Sequence, residues 1–356
     1  MQLSLDAFLA LPEAEQLPLI GDQAVLYASQ FSRAQIDRLC AVANAARSLH
    51  TTAPGGSFLG SRVPHRMALN FFVQPSSRTF MSFNTAQATL GMERVSVRDV
   101  QKSSMSKGES LVDSIRTYIS YVDVIVMRHP DENAAATAFW AASRAHRRLQ
   151  LSGRERPVPV ISGGSGSKHH PTQALLDVYT LQRSLGTLEG RTLLLVGDLR
   201  RGRTARSLAQ LARLYPGLKL RFAAPDAYQM LPDITDQLDQ AGVDWERVPT
   251  LSDGLSGADA VYMTRIQDEW DGAKAGGHVA THPDFRFGAA HLDRLADHAV
   301  LLHPLPKRDE IDVQIDELDD PRVGYWRQER NGVWMRVALL AWLFGVEQSI
   351  LDALPR

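Results

Sequence analysis

Short, continuous apolar runs alternate with amphipathic segments along most of this chain. The runs are Met67 to Val73, Val122 to Met127, Val158 to Ser162, Thr192 to Gly197, Leu218 to Ala223, Ala258 to Met263 and Val300 to Leu302. Strands that are buried on both faces have this appearance, because helices cover both sides of a parallel sheet. The pattern therefore predicts an α/β protein.

Between the runs, apolar residues recur at helical spacing. Two such sets are Leu111, Ile115, Tyr118 and Val122, and Ala205, Leu208, Ala209, Ala212 and Tyr215. The earliest helix is predicted to begin at Ser32, where Ser32 to Gln35 fits a capping box. The segments Thr51 to Pro64 and Gly153 to Pro157 are rich in Gly, Ser and Pro or polar residues, which predicts loops. The last strong helix is predicted from about Trp334 to Phe344.

The length and composition indicate two domains of a soluble protein. A chain of 356 residues exceeds the usual size of one core. Its net charge of −1 argues against nucleic acid or an anionic membrane as the main partner, and no apolar stretch approaches the ~20 residues of a membrane span. The single cysteine, Cys40, excludes an internal disulfide, and Met1 to Pro12 lacks a basic signal-peptide region, so a cytoplasmic location is expected.

The sequence Pro75-Ser76-Ser77-Arg78-Thr79 follows the first apolar run and precedes a helical pattern. Hydroxyls, a guanidinium and the N–H groups of a helix start would converge there, which favours an anion such as phosphate. A lone Ser-x-x-Thr would be an ordinary helix cap. Three more motifs must be explained with it: Ser103 to Glu109, His170-Pro171-Thr172-Gln173 and His303-Pro304-Leu305-Pro306-Lys307.

Together these motifs resemble the aspartate/ornithine carbamoyltransferase family, from about Phe71 to Leu340. The His-Pro-Leu-Pro sequence and the pair Arg265-x-Gln267 favour its aspartate branch. The resemblance implies two doubly wound domains, each with a central parallel sheet flanked by helices. It places a carbamoyl phosphate-binding domain at residues 1–170, an aspartate-binding domain at 171–325, and a C-terminal helix of about 326–356 that packs back on the first domain.

The resemblance also implies a carbamoyl phosphate site. Its members would be Ser76, Ser77, Arg78, Thr79, Ser103, Lys107, Arg128, His170 and Gln173. Among these, His170, Arg128, Thr79 and Lys107 would be catalytic, with His170 and Thr79 polarising the carbamoyl oxygen, and Gln173 would hold the carbamoyl amide. Ser103 and Lys107 would reach a neighbouring subunit's active site, which implies a homotrimer with shared sites.

The aspartate site implied by the resemblance consists of Arg203, Arg265, Gln267 and the backbone carbonyls of Leu305 and Pro306. Arginine suits this task because its guanidinium binds a carboxylate in a bidentate manner. The amine would attack the carbamoyl carbon directly, so no metal, nucleotide or other cofactor is expected. The run Gly163 to Ser167 lacks the Lys-Ser/Thr ending of a P-loop and is interpreted as a mobile approach to His170.

Four positions depart from the family pattern. Gln74 stands where a Glu is usual, Trp270 where the aspartate branch often has an Arg, Ser165 where an acidic residue is common, and Lys307 where an Arg follows His-Pro-Leu-Pro. In the family, that Glu and Arg help to hold the closed arrangement of the domains. The hypothesis is weaker or differently regulated closure.

The expected reaction is carbamoyl transfer from carbamoyl phosphate to L-aspartate, giving N-carbamoyl-L-aspartate and phosphate, an early step of pyrimidine synthesis. One alternative is a carbamoyltransferase for another amino acid, such as an ornithine derivative. A second is a non-catalytic paralogue that serves as a scaffold, which the intact set of site residues speaks against. Regulatory or pathway-enzyme chains remain open as partners.

Overall fold

The chain forms two compact units. The computed structural model describes residues 3–98, 108–149, 157–166, 168–267 and 280–354. The first unit comprises Met1–Thr172 and Gly332–Arg356, and the second comprises Gln173–Asn331. The sequence placed these boundaries after residues 170 and 325. The second unit is therefore an insertion between two segments of the first.

The first unit contains a parallel sheet in the order β1-β5-β4-β2-β3. Its strands are β1 (Ala24–Val25), β2 (Met67–Phe72), β3 (Glu93–Val97), β4 (Val124–His129) and β5 (Val160–Ser165). Its helices are α1 (Leu5–Leu9), α2 (Glu13–Ile20), α3 (Arg33–Leu49), α4 (Ala53–Gly60), α5 (Ser77–Thr89), α6 (Leu111–Tyr118) and α7 (Ala134–Leu149). Short 3₁₀ helices lie at Gly21–Gln23 and Ala28–Gln30.

The second unit contains a parallel sheet in the order β10-β9-β6-β7-β8. Its strands are β6 (Thr192–Val196), β7 (Lys219–Ala223), β8 (Trp245–Val248), β9 (Ala260–Met263) and β10 (Val300–Leu302). Its helices are α9 (Arg203–Ala212), α10 (Pro232–Gln240), α11 (Leu251–Gly254) and α12 (Ala289–Leu292), with 3₁₀ helices at Asp226–Tyr228, Pro283–Phe285 and Val313–Glu317. The chain passes between the units within α8 (Pro171–Leu185) and α13 (Tyr325–Leu343), and α14 (Glu347–Asp352) follows.

These two parallel sheets confirm the predicted α/β fold, and each predicted apolar run contains a strand. The runs missed β1, β3 and β8, which all lie at sheet edges. Strand β3 reads Glu-Arg-Val-Ser-Val and is exposed along nearly its whole length, so it has no continuous apolar run to detect.

Three local predictions are wrong. The segment Thr51 to Pro64, predicted to be a loop, contains helix α4. The helix begins after Thr52, and the Thr52 hydroxyl accepts a hydrogen bond from the N–H of Gly55 at 3.1 Å. Its proline lies in the first turn, where a missing N–H costs nothing. The residues Gly163 to Ser165 are buried members of β5 rather than a mobile approach. Helix α13 begins at Tyr325, well before the predicted Trp334.

Aromatic contacts join the C-terminal segment to the first unit. The ring of Trp342 lies 5.9 Å from that of Phe31, and the ring of Trp334 lies 5.2 Å from His50. Nearby, Arg38 donates to Glu347 at 3.4 Å. The expectation that the C-terminal helix packs on the first domain is thus confirmed. Across the described ranges, no helix combines the length and apolar character needed to cross a membrane.

An aspartate holds the amino ends of the central strands in each unit. Asp123 accepts from the N–H of Met67, at the start of β2, at 2.8 Å. In the same way Asp259 accepts from the N–H of Thr192, at the start of β6, at 2.8 Å, and it also contacts Arg191 at 2.9 Å. These bonds fix the amino ends of the strands. Ligands in such folds bind at the opposite, carboxyl ends.

Candidate active site

Each sheet has a point where the direction of its crossovers reverses. In the first unit the chain runs from β2 outward to β3 and then returns to β4 on the other side of β2; in the second it runs from β6 to β7 and β8 and returns to β9. Ligands in such sheets bind outside the carboxyl ends of the strands at this switch point. The residues predicted from sequence lie there: Ser76 to Thr79 follow β2, Arg128 is on β4, Arg203 follows β6 and Arg265 follows β9.

The predicted phosphate turn is the beginning of α5. Ser76 is the N-cap residue, with an extended backbone, but its side chain does not cap the helix. Its hydroxyl instead donates to Thr79 Oγ1 at 3.1 Å. Ser77 is exposed and Arg78 is half-buried in the first turn. Because the N-cap side chain does not bind the first backbone N–H groups of the helix, this helix start is a suitable site for a phosphate dianion.

Buried hydrogen bonds fix this turn to the sheet. Asn70 on β2 and Gln87 on α5 exchange two amide hydrogen bonds of 2.8 and 3.0 Å. The backbone N–H groups of Val73 and Gln74 both donate to the carbonyl of Arg128, at 3.0 and 3.2 Å. The sequence analysis missed the Asn70–Gln87 pair, although a polar residue inside an apolar run was the available signal.

Arg128, His170 and Thr79 are brought together around Gly163. Arg128 Nη1 donates to the carbonyl of Gly163 at 2.9 Å and lies 3.4 Å from His170 Nε2. A Cβ atom on Gly163 would lie 3.3 Å from the Thr79 methyl group. All three side chains are buried, and Arg128 lies where the pairing of β4 with β5 shifts in register, between Met127 and His129.

The predicted residues Ser103, Lys107 and Trp270 lie outside the described residues. Their roles stay predictions, as do those of the other site residues.

In the second unit, a buried aspartate that the sequence analysis missed organises the predicted aspartate site. Asp198 accepts from Arg201 Nε at 2.8 Å and from the N–H of Gln267 at 3.0 Å. A Cβ on Gly202 would lie 2.2 Å from the Asp198 carbonyl, so this position needs glycine. Asp198 thereby joins the start of α9, where Arg203 is the first residue, to the segment after β9. The position of Asp198 directly after the apolar run Thr192 to Gly197 was the signal available in the sequence.

His303 shapes the loop that carries Leu305 and Pro306. Its Nε2 bonds to Glu310 Oε1 at 2.7 Å and its Nδ1 accepts from the N–H of Leu305 at 2.7 Å, which indicates a neutral ring protonated on Nε2. Burial lowers the pKa of His303, and the nearby cations Lys307 and Arg265 lower it further, while Glu310 acts in the opposite direction. Leu305 has a left-handed backbone (φ 53°), and the Leu305–Pro306 peptide bond is cis.

Two further predicted positions have defined partners in the second unit. Gln173 lies in the first turn of α8, and its Nε2 donates to the buried carboxylate of Asp177 at 2.9 Å. Lys307 pairs with Asp316 and lies 5.2 Å above the ring of Tyr325. Within the described ranges, no three His, Cys, Asp or Glu side chains are grouped so that they could hold a metal ion.

Comparison with known proteins agrees with this arrangement. Residues 23–183 match the carbamoyl-P binding domain of aspartate/ornithine carbamoyltransferases, and residues 189–343 match their Asp/Orn binding domain. The chain is 40% identical over 326 residues to the chloroplastic aspartate carbamoyltransferase of Oryza sativa, covering 90% of this chain and 84% of that protein. It is also 36% identical over 328 residues to the multifunctional protein CAD of Squalus acanthias, covering 92% of this chain and 14% of that protein.

Solved structures show the same likeness. Aspartate transcarbamoylase from Trypanosoma cruzi, in complex with carbamoyl phosphate and aspartate, matches with a TM-score of 0.77 and 35% identity, covering 92% of this chain and 98% of that one. The catalytic subunit of the M. jannaschii enzyme matches with a TM-score of 0.76 and 30% identity, covering 92% and 98%.

Proposed function

Since this chain belongs to the aspartate/ornithine carbamoyltransferase family, we propose that its two units bind the two substrates of one reaction. The chain is an enzyme of the aspartate type. It transfers the carbamoyl group of carbamoyl phosphate to the amine of L-aspartate, giving N-carbamoyl-L-aspartate and phosphate in pyrimidine synthesis. The first unit holds carbamoyl phosphate and the second holds aspartate.

The observation that carries this proposal is the cluster of Arg128, His170 and Thr79 beside the start of α5. The helix N-terminus with Ser76, Ser77 and Arg78 binds the phosphate, so the carbamoyl oxygen falls near the buried donors of the cluster. These donors stabilise the oxyanion as it forms, and losing one such donor typically costs about 2.7–4 kcal/mol of barrier. Arg128 is fixed before substrate binds, because its Nη1 donates to Gly163 and its carbonyl accepts from Val73 and Gln74, and His170 Nε2 lies 3.4 Å from the same Nη1.

The acceptor subsite explains the choice of nucleophile. Arg203 and Arg265 bind the two carboxylates of aspartate, while the carbonyls of Leu305 and Pro306 accept from its amine. The neutral amine attacks the carbamoyl carbon and forms the C–N bond; the bond from that carbon to the bridging oxygen breaks, and phosphate leaves with the electron pair. The nitrogen then loses a proton, which the departing phosphate takes up. Holding both reactants in this geometry supplies a large part of the rate.

The experiment that tests this function is an assay of the purified chain with carbamoyl phosphate and each of L-aspartate, ornithine and acylated ornithine. We expect phosphate and carbamoyl-aspartate to form together, only with aspartate, and to fall at least 100-fold in His170→Ala. Turnover with an ornithine acceptor would redirect the proposal to that substrate. Binding of carbamoyl phosphate without turnover of any acceptor would point to a non-catalytic scaffold.

We also propose a homotrimer with active sites shared between subunits. Strand β3 supports this, because it is an exposed edge strand whose Val95 is 41% exposed, and Met81 on α5 is 64% exposed. If Lys107 serves a neighbouring site, then mixing the inactive variants Lys107→Ala and His170→Ala should restore activity through hybrid trimers. A monomer in sedimentation, or a mixture that stays inactive, would contradict the proposal.

We further propose a cytoplasmic location. Cys40, the single cysteine, is free and buried, so the fold uses no internal disulfide that would need an oxidising compartment. Cell fractionation tests this directly, and a chloroplast or other organelle location would refute it. Association with other enzymes of the pathway would appear as a larger complex in the same soluble fraction.

A further inference from the structure

One buried carboxylate joins three elements of the second unit. Asp177 on α8 has no exposed surface. It accepts from Gln173 Nε2 at 2.9 Å, from Gln328 Nε2 on α13 at 2.7 Å and from the Tyr262 hydroxyl on β9 at 2.7 Å. A carboxylate only accepts hydrogen bonds, so each of these partners must present a donor to it. The arrangement fixes the orientation of two amides and one hydroxyl.

The first consequence concerns Gln173. Its amide could in principle adopt either of two orientations related by a flip. Because the NH₂ group is committed to Asp177, the Oε1 carbonyl points away from the carboxylate and remains an acceptor. An acceptor is what the NH₂ group of a carbamoyl substrate requires. If Asp177 were a donor, Gln173 could turn its own NH₂ toward the substrate and repel it.

The second consequence concerns the His303 loop. The Gln328 side chain donates to Asp177 and accepts, through Oε1, from the backbone N–H of His303 at 2.9 Å. That backbone group precedes the carbonyls of Leu305 and Pro306, which are proposed to bind the amine of aspartate. The carboxylate therefore fixes the amide that holds the beginning of this loop.

The third consequence concerns Arg203 and Arg265, which are proposed to bind the carboxylates of aspartate. The Tyr262 hydroxyl donates to Asp177, and Thr204, the neighbour of Arg203, interacts with the same hydroxyl and acts to lower its pKa. Burial and the Asp177 charge raise the pKa of Tyr262, so the hydroxyl remains a donor. Strand β9, which carries Tyr262, leads directly to Arg265.

We propose that Asp177 is a positioning residue that orients Gln173 and the acceptor-binding segments of the second unit together. It contacts no substrate itself. This inference rests on the proposed carbamoyl transfer and adds to it that the donor and acceptor subsites share one buried anchor. Loss of the carboxylate should therefore affect the KM values of both substrates and kcat, rather than stability alone.

The test compares Asp177→Asn, which keeps the side chain's size, with Thr180→Val as a matched control. Thr180 lies on the same helix and is also buried, and its Oγ1 donates to the Leu176 carbonyl at 2.7 Å and accepts from Asn331 Nδ2 on α13 at 3.1 Å, neither of which is a predicted site residue. We expect kcat/KM for both substrates to fall by roughly tenfold to a hundredfold in Asp177→Asn. Thr180→Val should lose thermal stability but keep the kinetic constants of the unmodified enzyme.

Two further variants keep the proposal testable if Asp177→Asn does not fold. Gln328→Met removes only the link to the loop, so it should raise KM for aspartate by about tenfold and leave KM for carbamoyl phosphate nearly unchanged. In a Gln173→Ala background, Asp177→Asn should add little to KM for carbamoyl phosphate, because the group through which it acts is gone.

Unchanged KM values in Asp177→Asn, or in Gln328→Met, alongside a reduced melting temperature would overturn the inference and leave a purely structural role. Fully additive effects of Gln173→Ala and Asp177→Asn would also overturn it. The unmodified enzyme is assayed in parallel. If it made no carbamoyl-aspartate, the proposed function itself would have failed, which separates the two outcomes.

Discussion

Replacing Gly163 with alanine adds one methyl group at the centre of the proposed carbamoyl phosphate subsite. The new Cβ would lie 3.3 Å from the Met127 carbonyl oxygen, 3.3 Å from the Thr79 methyl group and 3.7 Å from Phe72. Since carbon atoms pack best at about 3.5–4.0 Å, a few tenths of an ångström must be gained. The Met127 carbonyl belongs to the interior strand β4 and cannot retreat, so Thr79 or β5 must move.

Two separate effects of Gly163→Ala follow from this geometry. Overpacking of this kind costs about 1–3 kcal/mol, which corresponds to a melting temperature lower by roughly 2–10 °C. The same displacement moves the Gly163 carbonyl, which holds Arg128, and moves Thr79. We expect kcat for carbamoyl-aspartate formation to fall by about tenfold or more, since small misplacements of reacting groups have large kinetic effects.

The assay combines steady-state kinetics with thermal unfolding, and Gly56→Ala is the matched control. Gly56 lies inside helix α4, and a Cβ there would meet nothing within 4 Å. That substitution should stabilise the protein by about 0.5–1 kcal/mol and leave kcat unchanged. If Gly163→Ala behaved like Gly56→Ala in both measurements, the argument that Gly163 holds Thr79 and Arg128 in place would be refuted.

Three more outcomes are expected. Arg128→Lys should lower kcat by about 100-fold or more, because the single ammonium group of lysine lacks the separated N–H donors with which a planar guanidinium reaches Gly163 and the substrate in a fixed geometry; normal kinetics in this variant would contradict the role of the guanidinium. The pKa of His303 is lower in the folded protein than its ordinary value of about 6.5, so the unfolded chain takes up a proton at a higher pH than the folded protein does. The free energy of unfolding, measured in urea, should therefore decrease as the pH falls from about 6.5 toward the lowered pKa. The decrease should be smaller in His303→Gln. Asp259→Ala should reduce the free energy of unfolding by roughly 2–3 kcal/mol without changing KM, whereas the exposed Asp244→Ala should have no measurable effect on either.

The interior strands could be predicted from the sequence because burial on both faces requires a continuous apolar run. The edge strands β3 and β8 could not, since one side of each lacks a neighbouring strand and their residues are largely exposed. Helix α4 was missed for another reason. Its Gly and Pro content predicts a loop, but its proline occupies the first turn of the helix and Thr52 caps the helix. The positions of these two residues therefore mattered more than the Gly and Pro content of the segment.

The candidate site was predictable where chemistry is local in sequence, as in the turn Ser76 to Thr79 and in the His303 loop. The residues that hold it in place were not. Asp177 and Gln328 are separated by 151 positions, and the Asn70–Gln87 pair joins a strand to the following helix. A buried polar residue shows in a sequence only as an interruption of an apolar pattern. Its partner is determined by the tertiary fold, which no local pattern contains.

The insertion of the second unit into the first has a consequence for how the protein is made. During synthesis from the amino terminus, Gln173–Asn331 emerges as one uninterrupted segment and can form its sheet before the chain is finished. The first unit is completed only by Gly332–Arg356, because the ring of Phe31 packs against Trp342 and Arg38 donates to Glu347 in that segment. A ribosome that stalled late would thus release a chain with one finished unit and one whose apolar surface is still uncovered.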